Sequence, residues 1–358
     1  MLPMKLLIIN PGSTSTKIAV YEDDQELYLK STAHSAEELG ALRSVKDQVL
    51  FREKLIMGEL ERAGYSLEDF AAICARGGPL KPMASGTYLI DENAVKDASN
   101  PEVGGRHSAC LGIGIAYELS QKYGIPAYFV DPVSTDELIE EARGTGLKGI
   151  YRRSMFHALN QKTAARAAAQ KLGRAYEEVN LIGVHMGGGV SVAAHRKGQV
   201  IDNYNVVDEG CFSMERPGSI PASAIIKMCY SGMEASEVKQ LLSNGSGVYS
   251  HLGTRDFREV EKMIEAGSKE ADLVFRTMVY QHAKCIGSMA ASLKFQVDAI
   301  FLTGGIAYSR RMCDALKDYV GKIAPVIELP GENEMKSLAE GALRVLRGEK
   351  PKAYGSAS

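Results

Sequence analysis

No stretch of this chain is apolar for long enough to cross a bilayer, which takes about 18 or more consecutive apolar residues. The apolar opening is cut short at Asn10-Pro11-Gly12-Ser13, and it has neither the apolar core nor the small-residue cleavage pattern of a secretory signal. An excess of one charge is also missing. The 42 Lys and Arg offset 44 Asp and Glu to a net −2, which excludes charge-driven attraction to nucleic acid or membrane. The six cysteines, at 74, 110, 211, 229, 285 and 313, include no CxxC pair and no Cys/His spacing of a zinc site. They read as reduced thiols of a cytoplasmic protein. The Gly-x4-Gly-Lys-Ser/Thr loop of common nucleotide-binding proteins is absent too.

What is present is α/β patterning over 358 residues, enough for two domains at roughly 100–200 residues each. Lys5–Ile9 is a continuous apolar run of the kind a central strand carries, and Lys17–Tyr21 follows the turn as a second strand. Leu181–His185 and Val190–Ala194 repeat that plan around Met186–Gly189. Further strands are expected at Ala71–Ala75, Tyr88–Ile90, Ala127–Val130 and Ala299–Leu302. Helices are expected over Ser35–Gly64, Ser108–Lys122, Phe156–Leu172, Pro221–Tyr230, Ser236–Leu242, Arg255–Ala266, Ala271–Leu293 and Asn333–Leu346. Lys350–Ser358 reads as a loose tail. The repeated strand–turn–strand implies a weak duplication, two α/β halves that bring both turns to a shared ligand.

Three segments carry chemistry. In the first, Gly12 permits close backbone approach and Ser13, Thr14, Ser15 and Thr16 offer hydroxyl donors to an anion. Lys17 adds positive charge, and Asn10 offers a neutral oxygen suited to magnesium or its waters. Read alone, this turn is also compatible with a solvated polar hairpin. The second is His185-Met186-Gly187-Gly188-Gly189. Three glycines in a row are costly in chain entropy and suit a turn that a phosphate approaches closely. The third is Thr303-Gly304-Gly305, where a flat ring such as adenosine has room to lie against the backbone, although read alone the segment is better explained by a close strand–helix turn.

Together these segments resemble the nucleotide-binding segments of the superfamily that groups acetate and sugar kinases with the heat-shock chaperone ATPase and actin. The resemblance sharpens in Ile9–Lys17, Val130-Asp131-Pro132-Val133, Ser154–Lys162 and His185–Gly189, which are similar to butyrate-kinase signatures. It runs from Leu6 to about Leu346. It implies two related domains of the actin-like ATPase (ribonuclease H-like) fold facing a nucleotide cleft. Residues 1–153 with about 334–358 would handle acid and phosphate, and residues 154–333 the nucleotide. The domains are expected to close over their substrates and keep water out.

The implied reaction is reversible transfer of the γ-phosphate of ATP to a short-chain carboxylate, giving an acyl phosphate and ADP with Mg2+. Such a carboxylate is ionised at neutral pH, so positive charge matters more than a strong base. By resemblance, Arg76, Asp131, His157 and Arg216 are the catalytic set. Ser13, Thr14, Ser15, Lys17, His185, Gly187, Gly188, Gly189, Gly304 and Gly305 bind nucleotide. Asn10 and Glu334 lie near the metal, with Glu332 as the alternative to Glu334. Gly77, Gly78, His107 and Phe156 line the acyl pocket, where Gly77-Gly78 should leave volume for a chain longer than acetate. Each methylene buried there adds about 0.8 kcal/mol.

The sequence departs from the family pattern at Arg106 and Cys110, which flank His107, and at Pro217 after Arg216. These changes bear on acid preference. Butyrate is the expected acid, with isobutyrate, valerate, propionate and acetate as alternatives, and a homo-oligomer is implied. A reading of another class, an actin- or chaperone-like ATPase switch, would need a peptide-binding or polymerising insertion for which 358 residues leave little room.

Overall fold

The computed structural model describes residues 3–105 and 107–355, so Arg106 lies outside the described residues. The chain forms two compact units, Met1–Thr135 with Asn333–Ser358, and Asp136–Glu332.

In the first unit, β1 (Lys5–Pro11), β2 (Ser15–Glu22) and β3 (Gln25–Ala33) form an antiparallel meander. Then β4 (Ala72–Arg76) pairs parallel with β1, β6 (Ala127–Val130) parallel with β4, and β5 (Thr87–Leu89) caps β6 antiparallel. The sheet order is β3-β2-β1-β4-β6-β5. In the second unit, β7 (Asn180–Met186), β8 (Val190–Arg196) and β9 (Gln199–Asn203) form the meander. There β10 (Ala299–Gly304) and β11 (Val326–Pro330) add parallel strands, giving β11-β10-β7-β8-β9. Setting β5 aside, both sheets run third, second, first, fourth, fifth. The expected duplication is therefore a repeated topology.

The central strands form for the reason their sequences suggest. Leu6, Leu7, Ile8 and Ile9 of β1 and Ala299, Ile300, Phe301 and Leu302 of β10 are wholly buried, as continuous apolar runs with helices on both faces should be. Three strands went unforeseen, β3, β9 and β11, and all three are sheet edges. β3 is largely exposed, and β9 and β11 are five residues each with only short apolar pairs, so no sustained alternation marks them.

Several boundaries move. The expected helix over Ser35–Gly64 is two helices, Ala36–Gly40 and Val45–Arg62, because Ser35 with Glu38 and Ser44 with Asp47 each build a capping box. The expected crossing near residue 153 falls instead at Thr135/Asp136. Residues 136–153 are tied to the second unit by the Glu137–Lys162 ion pair at 2.7 Å and by Arg152, 2.9 Å from both Asp202 and Glu209.

The tail is not loose over its described part. The Lys352 N–H donates to Thr87 O at 2.9 Å and the Leu89 N–H to Lys352 O at 3.0 Å, which satisfies the free edge of β5. Tyr354 is buried against Phe129, with its hydroxyl donating to Asp97 Oδ2 at 2.8 Å. Burying an aromatic ring this fully is worth about 3–5 kcal/mol when it is truncated. Tyr354→Ala should lower the urea-unfolding free energy of the first unit by that order. A loss under about 1 kcal/mol would mean the segment is not docked.

Candidate active site

Parallel strands leave their carboxyl ends at one edge of a sheet, and open α/β sheets bind ligands there. In the first unit that edge gathers Asn10 near the end of β1, Arg76 at the end of β4 and Asp131 just after β6. Glu334, the first residue of the helix Glu334–Leu346, joins them. Its Oε2 accepts from Asn10 Nδ2 at 2.7 Å and from Arg76 Nη1 at 3.0 Å, while Arg76 Nη2 lies 2.9 Å from its Oε1. The guanidinium is thus gripped in two places. Glu332, by contrast, belongs to the second unit, where its Oε1 stands 3.8 Å from His185 Nε2.

Asp131 is buried and holds a left-handed backbone, φ 36°, uncommon for a residue with a side chain. The Gly86 N–H donates to its Oδ1 at 2.6 Å, and the Asp131 N–H returns to Gly86 O at 3.1 Å. His107 caps a short helical turn, its Nδ1 accepting from the Ala109 N–H at 3.2 Å. Packing around the ring, with Arg76 nearby, lowers its pKa, so the imidazole stays neutral near that cation.

The glycines after Arg76 do not enlarge a pocket. A Cβ on Gly78 would collide with Cys110 Sγ, and one on Gly77 would press on Phe129 and Pro132, each at 3.2 Å. The expected spare volume is already filled by protein, and Cys110 fills part of it. Phe156 also departs from its expected place. It is 1% exposed, packed with Ala158, Ala193 and Val200 in the core of the second unit.

The hydroxyl turn is where the sequence put it. Ser13 and Thr14 are exposed at the tip between β1 and β2, and Lys17 is exposed on β2 opposite Asn10. What the sequence did not reveal is Arg52, wholly buried in the Val45–Arg62 helix. Its Nη1 donates to Ser15 O and Thr16 Oγ1, both at 2.8 Å, and its Nη2 to Ser13 O at 3.2 Å. Drawing the Ser13 carbonyl inward turns the following Thr14 N–H outward, since the two point oppositely across a planar peptide. The guanidinium has no carboxylate among its hydrogen-bond partners, and burial lowers its pKa. An apolar stripe with one arginine inside it would have flagged this residue.

In the second unit, Gly187, Gly188 and Gly189 form the turn between β7 and β8, closed by the Gly187 N–H to Gly189 O at 3.0 Å. The Arg216 guanidinium lies where a Cβ on Gly189 would stand, so any larger residue there would push that side chain aside. Ser213 Oγ donates to Gly188 O at 2.7 Å and Arg216 Nε to Ser243 O at 3.2 Å, so the loop of Arg216 is fastened onto the turn. His157 precedes the Ala158–Lys171 helix and stacks on His185, ring centres 3.8 Å apart. His185 Nδ1 is 2.7 Å from Asn160 Oδ1, whose amide nitrogen donates to the carbonyls of Gly331 and Glu332 at 3.2 and 2.7 Å.

Gly304, at φ 87°, has no space for a Cβ against the Met186 backbone, whereas Gly305 is exposed with nothing nearby. Gly305 lines a cavity of about 950 Å³ with Gly187, Gly188, Phe257, Ile306 and Tyr308. That is room for a nucleoside beside a glycine turn. Arg255, which no sequence motif singles out, reaches the same cavity, 3.2 Å from Glu215 and over the Tyr249 ring at 3.5 Å.

Residues 146–322 match the Acetokinase family. The chain is 46% identical over 353 residues to Butyrate kinase 1 of Clostridium acetobutylicum, covering 98% of this chain and 99% of that protein. Among solved structures, Porphyromonas gingivalis acetate kinase superposes with a TM-score of 0.78 at 20% identity, covering 96% of this chain and 100% of that one. A propionate kinase from Francisella tularensis gives 0.76 at 18% identity, covering 94% and 98%. These structures share the expected actin-like ATPase fold.

Arg52→Met should cost about 1–3 kcal/mol of stability by leaving the Ser13 and Ser15 carbonyls short of a partner. It should also speed hydrogen exchange at the amides of residues 12–15. Unchanged exchange in a folded variant would show that Arg52 does not brace the turn.

Proposed function

The chain belongs to the acetokinase family, and we propose that it moves the γ-phosphoryl group of ATP reversibly to the carboxylate of butyrate. It is a phosphotransferase with a carboxyl group as acceptor. The observation that carries our reading of its site is the two-point hold of Glu334 on Arg76 beside Asn10.

The chemistry brings two anions together, so preorganised positive charge is the main requirement. We assign Arg76 to the acid carboxylate and the transferring phosphoryl group. A guanidinium has five N–H donors, and Glu334 takes one from each terminal nitrogen. His107, kept neutral, adds no repulsive charge beside it. Arg216, crossing the glycine turn, is assigned to the phosphoryl group from the nucleotide side, with His157 as a hydrogen-bond donor. The exposed hydroxyls of Ser13 and Thr14, with Lys17, are assigned to the outer phosphates. Asp131 is assigned to keeping the edge of the first sheet in register through Gly86.

The unit Asp136–Glu332 is assigned to nucleotide, supported by its glycine turn and the cavity lined by Gly305. The unit Met1–Thr135 with Asn333–Ser358 is assigned to the acid. Among the described residues no three His, Cys, Asp or Glu side chains gather as a metal cage. One carboxylate and one amide, Glu334 and Asn10, fit Mg2+ carried on the phosphates and largely hydrated. Bound there, it would neutralise phosphate charge. Six unpaired cysteines, five of them buried, favour a reducing compartment such as the cytoplasm. No helix among the described residues is long and apolar enough to cross a membrane.

Trapping the product with hydroxylamine tests the reaction and the acid together. With ATP, Mg2+ and acids from acetate to hexanoate, including isobutyrate, the hydroxamate yield should peak at butyrate. Neighbouring acids should fall by about tenfold or more per methylene. A peak at another acid would overturn the butyrate assignment. No hydroxamate with any acid would overturn the reaction.

A further inference from the structure

Behind His157 runs a buried line of polar groups. Gln161, Ser191 and His195 are wholly buried, and Tyr176 nearly so. His157 Nδ1 is 2.9 Å from Ser191 Oγ. Gln161 Nε2 is 2.8 Å from that same Oγ and 3.0 Å from the Ser191 carbonyl oxygen. Gln161 Oε1 is 2.9 Å from His195 Nε2, and His195 Nδ1 is 2.7 Å from the Tyr176 hydroxyl. Gly183 leaves the line room, since a Cβ there would strike Gln161, Phe301 and His195.

Each bond in this line can be given a direction. A backbone carbonyl only accepts, so the Gln161 atom facing Ser191 O is the amide nitrogen. That nitrogen also donates to Ser191 Oγ. The His157 backbone N–H points at Ser191 Oγ as well, at 3.4 Å. With donors arriving, the one hydroxyl hydrogen of Ser191 is turned toward His157 Nδ1. On the other side Gln161 Oε1 accepts, so His195 carries its proton on Nε2 and takes the Tyr176 hydroxyl hydrogen on Nδ1. Burial and the cations Lys162 and Arg166 hold the His195 pKa well below its usual range, so this ring stays neutral.

We propose that Gln161 is a positioning residue that, through Ser191, fixes His157 as the neutral tautomer with its proton on Nε2. The consequence rests on the reading that His157 meets the transferring phosphoryl group. The proton His157 gives to the phosphoryl group is then the one on Nε2, with no tautomer change needed in the reaction. A proton on Nδ1 would have to point at an oxygen already receiving hydrogens, so of the two neutral tautomers the line selects Nε2–H. The groups facing this ring and its neighbours include the stacked His185 with Glu332 beyond it, Ser191, and, around His195, Tyr176, Arg166 and Lys162 with its partner Glu137.

The test is long-range 1H–15N NMR of the histidine-labelled full chain without substrates, with His157→Asn assigning the signal. The intact protein should show His157 protonated on Nε2 and bare on Nδ1 at neutral pH. Gln161→Leu removes the donor that occupies Ser191 Oγ, leaving that oxygen open to accept, so Nδ1–H should become populated. Acyl phosphate formation should lose about tenfold or more in kcat, with KM for both substrates held within about twofold, the split a positioning role requires. Ser191→Ala, which breaks the line at its last link, should also populate Nδ1–H. An Nδ1–H form in the intact protein, or an unchanged His157 signal in both folded variants, overturns the proposal. Full turnover in His157→Asn, with the NMR result as expected, would instead overturn the role of His157 in phosphoryl transfer and leave the tautomer assignment standing.

Discussion

A carboxylate 258 residues away in sequence holds Arg76 in place. A loose arginine at the end of a strand has many rotamers, and fixing one costs side-chain entropy. Glu334 removes that freedom by accepting at both terminal nitrogens, and Asn10 in turn fixes Glu334. The pair is only part-buried, so its energetic worth is modest. Its value lies in direction: a planar fork held at one site on the sheet edge. The closing helix Glu334–Leu346 belongs to the first unit although the second unit is inserted before it. That topology is what brings residue 334 to residues 10 and 76.

Around this constraint the molecule uses one plan twice. Each sheet makes a three-stranded meander and adds parallel strands beside the first, so both place their chemistry at the carboxyl ends of parallel strands. The two first turns differ in how they are held. In the first unit a buried guanidinium pulls carbonyls inward from beneath. In the second, glycines let a guanidinium lie across the turn itself. In the proposed reaction both devices leave N–H groups and cations facing a phosphate, one for a hydroxyl-rich turn and one for a bare one.

The sequence was legible where local chemistry decides the outcome. Continuous apolar runs became central strands, and the expected turns at 10–13 and 186–189 fell between strands, trimmed to 12–14 and 187–189 because Asn10, Pro11 and Met186 belong to the strands. Three of the four edge strands, β3, β9 and β11, were missed, and β5 alone was foreseen. The split of the Ser35–Gly64 helix was written in two Ser-x-x-acid boxes that hydrophobic spacing alone overlooked. Long-range pairing was the harder part. Nothing near Gly78 says that Cys110 fills its empty side, and nothing near Phe156 says that its ring turns into the core. Arg52 looked like one of 42 cations until burial singled it out.

The most direct test of the central claim is steady-state kinetics of Arg76→Lys with butyrate and ATP varied separately. Lysine keeps the charge and removes the fork that Glu334 grips and the acid would share. The account predicts a rise of about tenfold or more in KM for butyrate together with a fall in kcat, and a KM for ATP within about twofold of the parent. Unchanged butyrate kinetics, or a loss confined to ATP, would contradict it.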